Sequence, residues 1–152
     1  MVRLAVIENE TCTVLAFDFG TRQIGVASGQ KLLKTANPLT ILAAKNGIPN
    51  WSQLQQLIDD WMPDQVLVGL PLNMNGSEGQ FCLRARKFGK RLHGRYGVKV
   101  AMVDERLSTF TAKNQYQAKN QKYKQKKTHV DDISAVLILE TWLANQSIGI
   151  KP

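Results

Sequence analysis

Apolar residues in the first third of the chain come in short blocks rather than at helical intervals. Residues 12–18 (CTVLAFD) read as a strand, 19–22 (FGTR) as a turn and 24–28 (IGVAS) as a second strand, a hairpin-like start. A third strand is expected within 37–44 (NPLTILAA). The period then changes. In 50–62 (NWSQLQQLIDDWM) Trp51, Leu54, Leu57, Ile58 and Trp61 recur at helical spacing, with Asn50 as N-cap, Gln53 three residues on, and Pro63 just beyond the end. The run 65–70 (QVLVGL) is short and β-branched, as a buried parallel strand would be, and opens into the Pro/Asn/Gly loop PLNMNGSEG. A helix over about 80–96 carries Phe81, Ala85, Phe88 and Leu92 on one stripe and Arg84, Lys87, Arg91 and Arg95 on another. A strand at 98–103 (VKVAMV), the loop DERLST and a helix over 108–118 follow. Residues 119–129, almost all Lys, Gln, Asn and Tyr, have the composition of a mobile segment. The last helix, from near Asp131 through ISAVLILETWLA, is apolar nearly all round and should be well buried.

Strands followed by strand–helix alternation predict an α/β fold with a mixed sheet, its first three strands antiparallel and its later ones parallel. Chemistry in such sheets gathers at the carboxyl ends of the parallel strands, where strand order reverses. Three acids fall there: Asp18 late in the first strand, Glu105 directly after the strand 98–103, and Asp131 at the start of the last helix. With the first strand beside 65–70, and that strand beside 98–103, Asp18 and Glu105 approach one another while the last helix crosses over them.

Length and composition narrow the class. The 152 residues are one domain's worth of chain, with no apolar run near the ~20 residues of a membrane helix. The first residues, MVRLAVIENETCTV, lack the long apolar segment and cleavage site of a secretory signal, so a soluble, cytoplasmic protein is expected. Cys12 and Cys82 have no partners at zinc-ligand spacing and read as reduced thiols. Lys and Arg number 20 against 12 Asp and Glu, a net charge of +8. The excess is clustered in RARKFGKRLHGRYGVK (84–99) and AKNQKYKQKKTH (118–129), neither containing an acid. A polyanionic partner follows, with Arg84, Lys87, Arg91 and Arg95 on the helix and Lys124, Lys126 and Lys127 in the loop as candidate backbone contacts.

Clustered carboxylates in a basic protein need a neutralising partner, because like charges at close range repel. Mg²⁺ suits the role, taking oxygen ligands and one or two carboxylates and completing its shell with water and phosphate. Two such ions about 4 Å apart can hydrolyse a phosphodiester in line. Each residue also has a plainer reading. Asp18 ahead of Phe19 and Gly20 could be a turn-forming aspartate. Glu105 could be a solvated loop acid paired with Arg106. Asp131 fits the third position of a capping box begun by Thr128, and the adjacent Asp132 competes for the same metal role. The Lys-rich loop could be solubilising and the Arg stripe an exposed helix face. His93 and His129 lack ligand spacing and read as surface residues, His129 being close enough to Asp131 to assist a leaving group.

The segments LAFDFGTRQIGVA, VGLPLNMNG, ARKF, VDERLST and VDDISAVLILE occur in the order and at about the spacing of the YqgF/RuvX-like family, over Thr13 to Trp142, and the chain resembles that family. The resemblance implies a single ribonuclease H-like domain over 1–152, a five-stranded mixed sheet flanked by helices, with 1–11 and 146–152 as flexible ends. It implies a metal-dependent nuclease that matures the 5′ end of pre-16S ribosomal RNA, in contact with structured RNA and precursor particles, or else a Holliday junction resolvase acting on branched DNA. The family's metal-binding acids correspond to Asp18, Glu105 and Asp131, holding Mg²⁺ or Mn²⁺. Arg22 would stand near the scissile phosphate, since Gln23 occupies the position where many relatives have Lys, Arg or a small polar residue. Arg106 of the DER segment joins the nucleic-acid contacts. Asp-x-Gly-Thr before a hairpin is also similar to the phosphate loop of actin-like ATPases, but those clamp nucleotide between two such domains and this chain has room for one. A DFG kinase reading fails for want of the glycine-rich loop and its lysine. A non-catalytic nucleic-acid-binding protein would keep the basic surface and tolerate loss of Asp18.

Overall fold

The computed structural model describes residues 12–107, 132–145 and 152. The expected helix at 108–118, the segment 119–129 and the ends 1–11 and 146–151 lie outside the described residues, and with them Lys124, Lys126, Lys127, His129 and Asp131.

The chain forms β1 (Thr13–Asp18), β2 (Gln23–Gln30), β3 (Thr35–Lys45), β4 (Ile48–Pro49), α1 (Trp51–Trp61), β5 (Gln65–Leu70), α2 (Gln80–Tyr96), β6 (Val100–Asp104), a 3-10 turn (Glu105–Leu107) and α3 (Asp132–Ala144). One sheet runs in the order β4-β3-β2-β1-β5-β6. β1 lies inside it, antiparallel to β2 and parallel to β5, and β5 is parallel to β6. The sheet therefore has six strands where five were expected. The sixth arises because Asn46 (φ 53°) and Gly47 (φ 79°) turn the chain back on β3 for two residues. Two successive positive φ values are what a type I′ hairpin turn requires, and Asn-Gly supplies them at little cost.

Alternation along β1 sends Leu15 and Phe17 to one face and Val14 and Ala16 to the other, all fully buried. Leu15 and Phe17 join Leu54 and Ile58 of α1 and Phe88 and Leu92 of α2 in one core. Val14 and Ala16 join Val136, Ile138 and Leu139 of α3 in a second core on the opposite face. Burial of Val14, Leu15 and Phe17 stabilises by ~1.5–3 kcal/mol each. That is enough to hold β1 in place although it ends on a charged residue. The Asn50 cap forms as expected, its Oδ1 accepting from the N–H groups of Ser52 (3.0 Å) and Gln53 (3.2 Å). Pro38 sits in β3 opposite Ala27, at the bulge where the register shifts between Val26 and Ala27, a place in a sheet that tolerates proline. Among the described residues no helix is long and apolar enough to cross a membrane.

Candidate active site

The register fixes where the acids stand. Phe17 pairs with Val68, so Asp18, the next residue, comes abreast of Gly69, and Gly69 pairs with Val103. Asp18, Gly69 and Val103 therefore form a row at the carboxyl edge of three adjacent strands. Alternation puts the Asp18 side chain on the α3 face with Ala16 and Val14, and leaves it partly buried. Glu105 begins the 3-10 turn after β6 and folds back onto this row. A Cβ built on Gly69 would lie 2.8 Å from Glu105 Oε1, 3.1 Å from its Cδ and 2.5 Å from Ile138 Cδ1. The Glu105 carboxylate thus occupies the space that any side chain at 69 would fill. Gly69, on which it sits, is in the strand next to the one that carries Asp18, about 4.8 Å away between backbones.

The same contacts orient α3. Ile138 covers Gly69 near the carboxyl edge, while Trp142 lies by Lys31, whose ammonium is 6.0 Å from the indole ring, at the far edge. The helix therefore directs its N-terminal end toward Asp18 and Glu105. Its first described residue is Asp132; Asp131, the expected third acid, lies outside the described residues. Among the described residues no group of three His, Cys, Asp or Glu is placed to hold a metal ion.

The basic residues divide into engaged and open ones. Arg84 donates through Nη2 to the backbone oxygen (2.9 Å) and Oδ1 (3.1 Å) of Asn46, locking the β3–β4 turn against α2. Arg95 lies over the Trp51 ring at 4.0 Å from its centroid. Lys87 and Arg91 are exposed, and neither forms an ion pair among the described residues. Arg22 is exposed in the turn that follows Asp18.

Arg106 belongs to neither group. Its Nε and Nη2 donate to the Asp104 carboxylate at 3.1 and 2.8 Å, and its Nη1 reaches the Met74 backbone oxygen at 3.4 Å. Asp104 is 7% exposed, and hydrogen bonding from Arg106 holds its carboxyl below the usual range despite burial. The plainer reading of Glu105 pairs it with Arg106, but the Arg106 fork closes on Asp104. The loop it reaches is internally bonded, Asn73 N–H donating to Ser77 O (2.9 Å) and Gly76 N–H to Asn73 O (2.8 Å). At the loop's far end Arg86 pairs with Glu78 and holds that carboxyl low.

Sequence reasoning passed over Asp104, Gly69 and the Asn46–Gly47 turn. The signal for Asp104 was present: an acid two residues before an arginine, just after a strand, is placed to take the guanidinium. Gly69 inside an apolar strand signals a close approach.

The family model for RuvX, described as a Holliday junction resolvase, matches residues 12–145. A Marinobacter nauticus protein named "Putative pre-16S rRNA nuclease" is 58% identical over 134 residues, covering 88% of this chain and 94% of its own. A Saccharophagus degradans protein of the same name is 52% identical over 130 residues, 86% of this chain and 92% of that one. Of solved structures, Thermus thermophilus RuvC in complex with Holliday junction substrate superposes with TM-score 0.57 at 14% identity, covering 91% of this chain and 98% of that one. The fowlpox virus Holliday junction resolvase gives 0.50 at 14%, covering 90% and 99%. At that identity these structures speak to the fold, which is the expected ribonuclease H-like one. Spanned by the family model from end to end of its described sheet, and more than half identical to those two relatives, the chain belongs to the RuvX family.

Proposed function

We propose that this protein is a metal-dependent nuclease that hydrolyses phosphodiester bonds in maturing the 5′ end of pre-16S ribosomal RNA, with precursor ribosomal particles as its cytoplasmic partners. The observation that carries the reading is the pair Asp18 and Glu105, on one face of the sheet's carboxyl edge on either side of a glycine. Two carboxylates with only oxygen donors, one of them seated where Gly69 has no side chain, suit Mg²⁺ or Mn²⁺ better than a softer metal. Asp18 and Glu105 would hold the ion, with Asp131 as third ligand. When bound, it supplies Lewis-acid charge at the scissile phosphate.

The chain's own residues do the rest. Arg22, in the turn next to Asp18, binds a phosphate oxygen near the scissile bond. Lys87 and Arg91, on the exposed side of α2, hold backbone phosphates farther along the strand. Arg84, Arg95 and Arg106 shape the surface those cations stand on. The relatives' names favour RNA; a four-way DNA junction is the competing substrate.

The test incubates wild type and a folded Asp18→Asn variant with a 5′-extended 16S precursor RNA and a four-way junction, in Mg²⁺, Mn²⁺ and chelator. Metal-dependent cutting of the RNA, lost in the variant, supports the reading. Symmetric cutting of the junction alone moves the assignment to resolvase. Binding of both without cutting, equal in wild type and variant, refutes the nuclease.

A further inference from the structure

Phe81, in the first turn of α2, has 43% of its surface in water. Its buried side packs on Phe19, with ring centroids 5.6 Å apart and planes at 45°. Phe19 directly follows Asp18, and behind it stands Phe88 at 5.4 Å. The exposed ring therefore rests on a rigid aromatic column whose first member is covalently joined to a candidate catalytic residue. Gly47 permits this closeness, since a Cβ there would come 2.9 Å from Phe19 Cζ and 3.2 Å from Arg84 Nη2. Arg84 is one helical turn beyond Phe81, and Lys87 and Arg91 follow with it on the cationic stripe that adjoins Phe81 on α2.

We propose that the exposed face of Phe81 is a stacking platform for an unpaired nucleobase beside the scissile phosphodiester. The inference rests on the nuclease reading and adds to it the requirement that the strand be single at this point. Asp18 and Glu105 lie on the α3 face of the edge, whereas Phe81 and the cationic stripe lie on the α2 face. A strand cut at the carboxylates and held by Lys87 and Arg91 has to cross the edge between them. Phe81 stands at that crossing. An aromatic face serves there because every base has a π-surface, so stacking anchors the strand without reading its sequence. The positive stripe that adjoins Phe81 on α2 matches the phosphates flanking the base, which favours a nucleic-acid occupant over an apolar protein segment.

The experiment uses the full chain in chelator, so that nothing is cut. The probes are an RNA hairpin with a single-stranded 5′ extension, carrying 2-aminopurine at successive positions, and a blunt RNA duplex. Wild type should quench 2-aminopurine at one position. Phe81→Leu, which keeps an apolar contact with Phe19, should abolish that quench and weaken hairpin binding about tenfold, the loss expected for one stacked base. Phe81→Trp should restore both, and duplex affinity should be the same for all three. The platform is overturned by quenching that persists in Phe81→Leu, by none in wild type, or by equal weakening on the duplex. Because no cleavage is read, failure here and failure of the Asp18→Asn comparison are distinguishable.

Discussion

Gly69→Ala puts the proposed site under direct strain. The new methyl would lie 2.8 Å from Glu105 Oε1 and 2.5 Å from Ile138 Cδ1, both inside van der Waals contact, so both side chains must give. Both atoms end flexible side chains, so the cost falls at the low end of the about 1–3 kcal/mol typical of overpacking. In a chain of this size that lowers the melting temperature by ~2–4 °C per kcal/mol. Catalysis should suffer more than stability. A carboxylate displaced by roughly 1 Å from its working position costs on the order of 10²-fold in rate. Gly94→Ala is the control: among the described residues nothing outside its own helix stands within 4 Å of its Cβ position in α2. It should stabilise by about 0.5–1 kcal/mol and leave turnover unchanged. Melting curves and single-turnover cleavage across a Mg²⁺ titration measure both effects. If Gly69→Ala cuts like wild type at every Mg²⁺ concentration, Glu105 over Gly69 is not the reacting site. Lost stability with intact cutting would mean that Ile138 moved and Glu105 did not matter.

Two further outcomes are expected. Binding should weaken steeply with salt, and Lys87→Gln and Arg91→Gln should each lower the slope of log K against log salt by about 1. Arg95→Gln should barely change that slope and instead destabilise by ~0.5–1 kcal/mol through loss of the Trp51 contact; equal slope changes for all three would refute the division into engaged and open cations. The Cys82 thiol is pushed up to about 11, first by burial and then by its hydrogen bond with Glu78. Its alkylation should be slow at neutral pH and rise about tenfold per pH unit well above it, because only the thiolate reacts. Fast, pH-independent labelling of Cys82 would contradict that environment.

The hydrophobic pattern was enough for most of the architecture because α1 and α2 each bury one face while β1 is buried on both, and the two periods differ. The helix over 80–96 coincides with α2, and the alternation of TVLAFD decides that Asp18 faces α3. The pattern says nothing of β4, which is two residues long and made by turn chemistry alone. Its signal, Asn46-Gly47, lies outside any apolar run. The stripe of four cations was legible as spacing, but not its division. Whether Arg84 meets solvent or Asn46 depends on a turn 38 residues earlier, and Arg95 meets Trp51 only once α1 and α2 pack side by side. In the candidate site Asp18 and Glu105 were recognisable as acids after strands. The seat that Glu105 takes was not, because it is defined by the absence of a side chain at Gly69 on the strand between them.

Arg106 is the cation nearest to Glu105 in the chain, and its disposal matters to any site that holds a divalent ion. A guanidinium closing on Glu105 would compete for the same oxygens. Asp104 prevents this by taking both Nε and Nη2 in a fork that also accepts the Arg106 backbone N–H at 2.9 Å. Asp104→Asn leaves the shape nearly unchanged but removes the charge, and the Arg106 fork is then drawn to the next carboxylate along the chain. Cleavage should demand a higher Mg²⁺ concentration in this variant, with maximal rate recovered when the metal is raised. The variant should also lose a part of the acid-unfolding curve. The Asp104 carboxyl is depressed in the folded protein, so its contribution is complete above the unfolded carboxylate pKa of about 4 and disappears as pH falls through the lower folded value. Wild type and Asp104→Asn should therefore differ in stability at neutral pH and converge in strong acid. A Mg²⁺ requirement unchanged by Asp104→Asn would show that Arg106 never threatened Glu105, and that the Asp104 pair serves only to hold the loop at Met74.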